Sequence, residues 1–172
     1  MGEEFAKVDL RKKILLVLCL IAVPLVGNAA LEFYNFRRAS QLRDLGHVAE
    51  AQGHVAEGIA YYEQSLRAYP EFLEVYSELA ELYESNKDLK QAEHYWTLAL
   101  EKAPSDPRSQ SLMHRMRGTF YYHHQMLAQA EPDLAQASSL NPSDGLSLSL
   151  LTACRKKVRL TVPSPVESGT SH

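Results

Sequence analysis

Seven histidines, two cysteines and twenty-one carboxylates are the side chains of this chain that could hold a metal or move a proton. His123 and His124 stand in FYYHHQM with His114 nearby, and His47 and His54 are seven apart. A helical metal site needs His or Glu at i and i+4, or Glu-x-x-His, aimed to one side. No His–His pair here has that spacing, and adjacent His123 and His124 point about 100° apart on a helix. No glycine-rich phosphate loop and no nucleophile elbow or triad motif occurs. Glutamates isolated on helices are not an acid–base pair without a cleft that shifts their pKa values. The expectation is therefore a protein that is not an enzyme, with no metal and no cofactor.

The whole chain narrows the partner classes. It has 172 residues, 45% of them hydrophobic and 23% charged, with a net charge of −3. A pI near 6.2 lacks the basic field that phosphate backbones require, so nucleic acid is not expected. Cys19 and Cys154 offer no internal disulfide framework.

Residues 1–13 form a short N-terminal segment ending in RKK. The run ILLVLCLIAVPLVGNAAL, residues 14–31, then carries no charge, and eleven of its residues are Leu, Ile or Val. At ~1.5 Å per residue it spans about 27 Å, slightly under a ~30 Å hydrocarbon core. A single transmembrane helix is expected. The competing reading is a cleaved signal peptide, with Gly27-Asn28-Ala29 as a small-x-small site. Residues 32–38 follow as an interfacial linker: Phe33, Tyr34 and Phe36, then Arg37 and Arg38, have the order of an aromatic belt with snorkelling cations. Lys7, Arg11, Lys12 and Lys13 precede the run, while Arg37, Arg38 and Arg43 follow it. That balance places the N-terminus in the cytoplasm and the bulk on the other side.

The rest of the chain repeats itself. Pro70 and Pro104 are 34 residues apart, and so are their surroundings. Leu42, Leu45 and Gly46 correspond to Tyr76, Leu79 and Ala80; Tyr62, Ser65 and Leu66 correspond to Trp96, Ala99 and Leu100. A third copy ends at Pro142 with Gly118, Tyr121, Ala130, Leu134 and Ala137 in register, after the insertion PRSQ. The units are 39–72, 73–106 and 111–144. Each reads as two antiparallel helices with apolar places three and four apart. One such pair cannot bury its own apolar face, whereas stacked neighbours can. The third unit departs from the pattern: His114 and Arg117 stand where large apolar residues are expected, and Pro132 falls inside its second helix, where a proline removes a hydrogen bond. Residues 145–160 read as a capping helix, with Leu146, Leu150, Leu151, Cys154 and Val158 as its apolar stripe and Ser147, Ser149, Thr152, Arg155 and Lys156 opposite. The tail 161–172 reads as disordered.

This pattern (a large residue, Leu-Gly, Tyr, then Ala, an aromatic, Ala and Pro) resembles the tetratricopeptide repeat. The resemblance implies an all-α, right-handed solenoid of helical hairpins, about three units and a cap, behind the single N-terminal helix. It also implies a groove lined by first helices that holds a partner segment. The implied positions are Arg43, His47, Glu50 and Ala51, then Glu74, Ser77, Glu81, Glu84 and Ser85, then Leu112, Arg115, Thr119, Tyr122 and His123. Members that grip a chaperone's carboxyl end use Lys, Asn, Asn, Lys and Arg at fixed places. Those places read Arg43, His47, Glu78, Leu112 and Met116 here, which would not hold a carboxylate.

Residues 71–106 hold nine acids against three lysines, whereas residues 107–130 hold three arginines and no acid. Such a division suits a partner segment of mixed charge, unless the charges only solvate an amphipathic surface. Two functions follow. One is a membrane-tethered adaptor that recruits a protein partner, in the assembly or stabilisation of a membrane or envelope complex. The other is a structural subunit held chiefly by its transmembrane helix, with the repeats as a buttress.

Overall fold

The computed structural model describes the backbone from Gly2 to Thr161 and the side chains of residues 27–160. The described residues form seven helices: α1 (Gly2–Ala51), α2 (Val55–Ala68), α3 (Leu73–Ser85), α4 (Leu89–Lys102), α5 (Pro107–His123), α6 (Leu127–Leu140) and α7 (Gly145–Thr161). One compact unit ends at Phe72 and a second begins at Leu73. In the first unit α1 packs on α2. In the second, α3 packs on α4 and α5 on α6, with α4 against α5 and α7 closing on α6 and α5.

The turn inside each hairpin has one backbone form. Gly53 (φ 77°), Lys87 (φ 67°) and Gln125 (φ 62°) all lie in the left-handed region. The next amide bonds back to the helix end in each case: His54 N to Ala49 O at 2.9 Å, Asp88 N to Tyr83 O at 2.9 Å, Met126 N to Tyr121 O at 2.9 Å. These bonds satisfy carbonyls that a helix end leaves orphaned. Only the first hairpin uses glycine, which adopts that φ without a Cβ clash. The starts of α4 and α5 are capped by carboxylates. Asp88 Oδ1 accepts from Gln91 N (3.1 Å), and Asp106 Oδ1 accepts from Ser109 N (2.9 Å) just before Pro107.

A small residue on the first helix of each hairpin admits a large one from the second. Tyr62 is fully buried against Gly46, and a Cβ at Gly46 would stand 2.6 Å from its Cδ1. A Cβ at Gly118 would stand 2.9 Å from Leu134 Cγ. Ala80 and Trp96 occupy the same register in the middle hairpin, and both are buried. Near the outer ends, Ser65 Oγ donates to Ala39 O at 2.8 Å, and Ser111 Oγ donates to Ala137 O at 2.8 Å. Ala39 and Ser111 are equivalent positions, as are Ser65 and Ala137, so donor and acceptor have changed sides while the contact persists.

The third hairpin replaces part of its apolar interior with ions. Asp133 is 5% exposed; its Oδ2 accepts from Arg117 Nε at 2.7 Å, and its Oδ1 accepts from Arg117 Nη2 at 2.9 Å and from His114 Nδ1 at 2.9 Å. His114 and Arg117, out of place in the repeat pattern, thus serve a carboxylate on the facing helix. The bond to Asp133 and its charge raise the already high pKa of Arg117, against the cost of burial. Helix α6 continues through Pro132. Pro132 is exposed, and so is Ala128, whose carbonyl lies four residues back on the water side.

In α7 the expected stripe is corrected at its start. Leu146 is 54% exposed, and Ser147 is fully buried in its place. The helix entry decides this: Asp144 accepts from Leu146 N (3.1 Å), and its Oδ2 accepts from Ser147 Oγ (2.6 Å). That bond turns Ser147 inward and, with the backbone bonds and Arg115, holds the Asp144 carboxyl below the usual range. Further along, Leu151 and Cys154 are buried, and Arg155 Nε reaches Glu131 at 2.9 Å on α6. Burial pushes the Cys154 thiol pKa up.

Helix α1 passes through residues 32–38 without a break, so the expected linker is helical. Most of the apolar run, residues 14–26, lies outside the described side chains. Among the described residues no helix is long and apolar enough to cross a membrane. The expected tail beyond Thr161 also lies outside the described residues.

Candidate functional site

The anticipated partner-binding residues divide between the two units. In the first, Glu50 Oε2 accepts from the Tyr62 hydroxyl at 3.0 Å, and His47 Nδ1 lies 2.9 Å from the same oxygen. With the hydroxyl proton directed to Glu50, His47 completes the triad by donating through Nδ1–H. Arg43 lies with Cζ 5.6 Å from the centroid of the Phe72 ring. These three are thus organised around buried aromatic rings of their own hairpin.

In the second unit a cleft of about 320 Å³ opens between the first helices of two successive hairpins. Glu81 and Glu84 come from α3; Arg115, Met116, Thr119, Phe120 and His123 come from α5, and Trp96 of α4 contributes to the wall. Residues 81 and 84 share a face of α3, and 115, 119 and 123 share a face of α5, because side chains three or four apart project together. Five anticipated residues are therefore collected here: Glu81, Glu84, Arg115, Thr119 and His123. Ser77 is half-buried on α3 and does not line the cleft. Tyr122 turns toward α7, where Lys157 Nζ sits 4.2 Å from its ring centroid.

Sequence patterning had assigned Trp96 to packing; its spacing carried no sign of a cleft, which exists only once α3, α4 and α5 are assembled. The walls are held from outside. Glu84 Oε1 pairs with His124 Nε2 at 2.8 Å, bracing α3 against the end of α5. Arg115 Nε lies 3.0 Å from Asp144 Oδ2. Thr119 Oγ1 donates to Arg115 O at 2.7 Å, leaving its lone pairs as acceptors. Beside the cleft, Tyr121 donates its hydroxyl to Glu93 Oε1 at 2.9 Å. Burial first, then that bond and the Glu93 charge, push the Tyr121 pKa up to about 12.

The anticipated interface residues follow α1. Phe33 and Tyr34 are 63% and 62% exposed, with Arg37 and Arg38 exposed beside them. Phe36 is partly withdrawn into an aromatic cluster, 5.5 Å from Tyr69 and 5.4 Å from Phe72 between ring centroids.

Helical hairpins in matching register along the chain define a helical-repeat fold as the class. Residues 49–116 match the tetratricopeptide repeat family model. No curated protein matches the chain. Among solved structures, the first TPR of Spaghetti (RPAP3), bound to the HSP90 peptide SRMEEVD, is 21% identical with a TM-score of 0.59, over 72% of this chain and 95% of that one. The N-terminal domain of stress-induced protein-1 (STI-1) from C. elegans is 16% identical with a TM-score of 0.62, over 70% and 97%. The Arabidopsis OM64 TPR domain is 17% identical with a TM-score of 0.57, over 72% and 98%. The fold is thus the all-α fold of tetratricopeptide repeat domains, a kind of domain that in the first of these structures holds a peptide.

Proposed function

We propose that this protein is a non-catalytic, membrane-tethered adaptor that holds a segment of a protein partner on the α3–α5 face of its second unit. The observation that carries the reading is the cleft itself. It joins carboxylates on one wall to Arg115 on the other, over Trp96, Met116 and Phe120. Apolar walls with a few convergent polar groups are what a recognition site needs: area for affinity and polarity for orientation. The similar fold bound to the HSP90 peptide supports a peptide as the kind of partner.

The tether rests on the composition of residues 14–31 and on the exposed Phe33, Tyr34, Arg37 and Arg38 that follow along unbroken α1. In this reading the run is a single-pass anchor, the repeats stand on the non-cytoplasmic side, and the setting is assembly or stabilisation of a membrane complex. Carbonate extraction should leave the intact protein in the membrane pellet, and recovery in the supernatant would remove the tether from the proposal.

The adaptor is tested with intact protein solubilised in mild detergent, beside Glu81→Arg and Arg115→Glu variants. Partners are quantified by mass spectrometry. Loss of one shared partner from both variants, with the helical signal kept, is the expected result. A partner retained by both would instead support a structural subunit held by α1, whose exposed aromatic residues are the observation favouring that second reading.

A further inference from the structure

One face of α1 is bare where the same face of the third hairpin's first helix is covered. Gln41, Leu45 and Val48 correspond in the repeat register to Met113, Arg117 and Phe120. Met113 and Phe120 are 5% and 2% exposed, and Arg117 Nη1 donates to Thr97 Oγ1 on α4 at 3.3 Å. The second helix of the preceding hairpin thus packs on that face of α5, while α6 packs on another. In α1 the equivalent places are open: Gln41 is exposed, Leu45 is 47% exposed and Val48 is 53% exposed. Two aliphatic side chains therefore meet water where the fold elsewhere seats a helix. The third hairpin also shows that such a cover leaves the hairpin's own pairing intact.

The bare face does not end with the hairpin. Leu31, Tyr34, Arg38, Gln41, Leu45 and Val48 alternate steps of three and four residues, and all six are exposed. A stripe averaging 3.5 residues is the pattern of a helix that pairs with another along its length. From Leu31 to Val48 it covers about 26 Å at ~1.5 Å per residue. Residues 27–34 are exposed throughout, and α1 has 50 residues against 14 in α2. A helix of hairpin length spans only about 21 Å and would leave one end of the stripe open. A bilayer surface that took Leu31 and Tyr34 would leave Leu45 roughly 21 Å further along α1. A second α1 has the length, and it presents the same stripe, as a twofold interface requires.

We propose that two copies of this chain pair through parallel α1 helices, with Leu31, Tyr34, Leu45 and Val48 as apolar layers and Arg38 and Gln41 as polar layers between them. Polar residues inside an apolar seam cost stability and fix register and strand number. The Arg38 stems cover the seam while their guanidinium groups reach water. The parallel sense rests on the tether proposed above, since two anchors in one bilayer point both α1 helices the same way. The seam uses no residue of the α3–α5 cleft, so each dimer carries two clefts and holds a partner with two matching segments by avidity.

The test uses the intact protein in mild detergent, with Cys19→Ser so that introduced thiols are read alone; Cys154 is buried. Light scattering corrected for detergent should give twice the chain mass. The double variant Leu45→Glu, Val48→Glu should raise the dimer Kd by about a hundredfold or more, because it places four carboxylates in the seam. Both side chains are about half exposed in a single copy, so the helical signal should be kept. On oxidation, Val48→Cys should give at least about tenfold more disulfide-linked dimer than Gln64→Cys, an exposed place on α2, because only the seam brings two Cβ atoms within bonding range. A single-chain mass for the parent, or a dimer that the double variant leaves intact, would overturn the seam and leave the tether and the peptide-binding reading standing. Leu31→Cys and Val48→Cys proteins that link to each other in preference to themselves would make the helices antiparallel and overturn the parallel pair and the common-bilayer tether together. Self-linking of Val48→Cys in protein that carbonate extracts would support the dimer and remove the tether alone.

Discussion

Replacing Asp133 by Ala should be the most destabilising single change in the third hairpin. Its carboxylate receives three charge-assisted or His-donated hydrogen bonds at 2.7–2.9 Å while only 5% exposed. Truncation leaves the Arg117 guanidinium with the Thr97 hydroxyl at 3.3 Å and the Tyr121 ring at 5.9 Å. Removing one partner of a buried pair costs ~3–5 kcal/mol, because the charge that remains is desolvated and unpaired. The Arg117 and His114 side chains keep 19% and 18% of their exposure, so water recovers part of the loss. The lower end, about 3 kcal/mol, is the expected cost.

For a protein of this size, ~3 kcal/mol corresponds to a fall in Tm of roughly 6–12 °C. Urea unfolding followed by Trp96 emission is the assay, since Trp96 lies in the same unit. The triple variant His114→Leu, Arg117→Met, Asp133→Leu should remain within ~1 kcal/mol of the parent, because an apolar trio avoids desolvating ions at all. A cost below ~1 kcal/mol for Asp133→Ala, or a triple variant no better than the single one, would falsify the view that this network is a buried ion cluster dependent on its carboxylate.

Three further outcomes follow from the packing. Lys87→Gly should stabilise by about 0.5–1 kcal/mol in the same urea assay, since Lys87 holds φ 67° and glycine has no Cβ to strain there. A loss of stability would show that its contacts outweigh its backbone strain. Gly46→Ala should cost ~2–3 kcal/mol by thermal circular dichroism, because the new methyl meets the Tyr62 ring, which Glu50 and His47 hold in place. Tyr121, raised to about 12 in the fold, should contribute stability that is full below pH 10 and lost as pH rises from 10 through 12. The difference in unfolding midpoint between the parent and Tyr121→Phe should narrow over that window, and a difference independent of pH would refute the assignment.

How much of this was present in the residue order can be judged from particular pairs. The matched positions Gly46, Ala80 and Gly118, facing Tyr62, Trp96 and Leu134, are visible in sequence because a contact repeated in each hairpin recurs at a fixed spacing. The left-handed residues Lys87 and Gln125 were not visible as such; hairpin geometry imposes that φ on whatever residue stands there. His114 and Arg117 read only as departures from the pattern. Their partner lies 19 and 16 residues away on another helix, and one-dimensional periodicity carries no phase between two helices. The exchange of Leu146 for Ser147 has a local cause, since a hydroxyl bonded to Asp144 outweighed the apolar stripe at the helix entry.

The sequence by itself determined the type of the elements in the repeats, their pairing into hairpins and the hairpin register. These depend on residues near one another along the chain or recurring at a constant interval. Tertiary structure alone decided which of the anticipated partner-binding residues share a cleft, that Tyr122 belongs to α7's side and not to it, and that Trp96 joins the cleft wall. Those are matters of where three helices converge, and periodicity along one chain carries no information about the angle at which separate helices face each other.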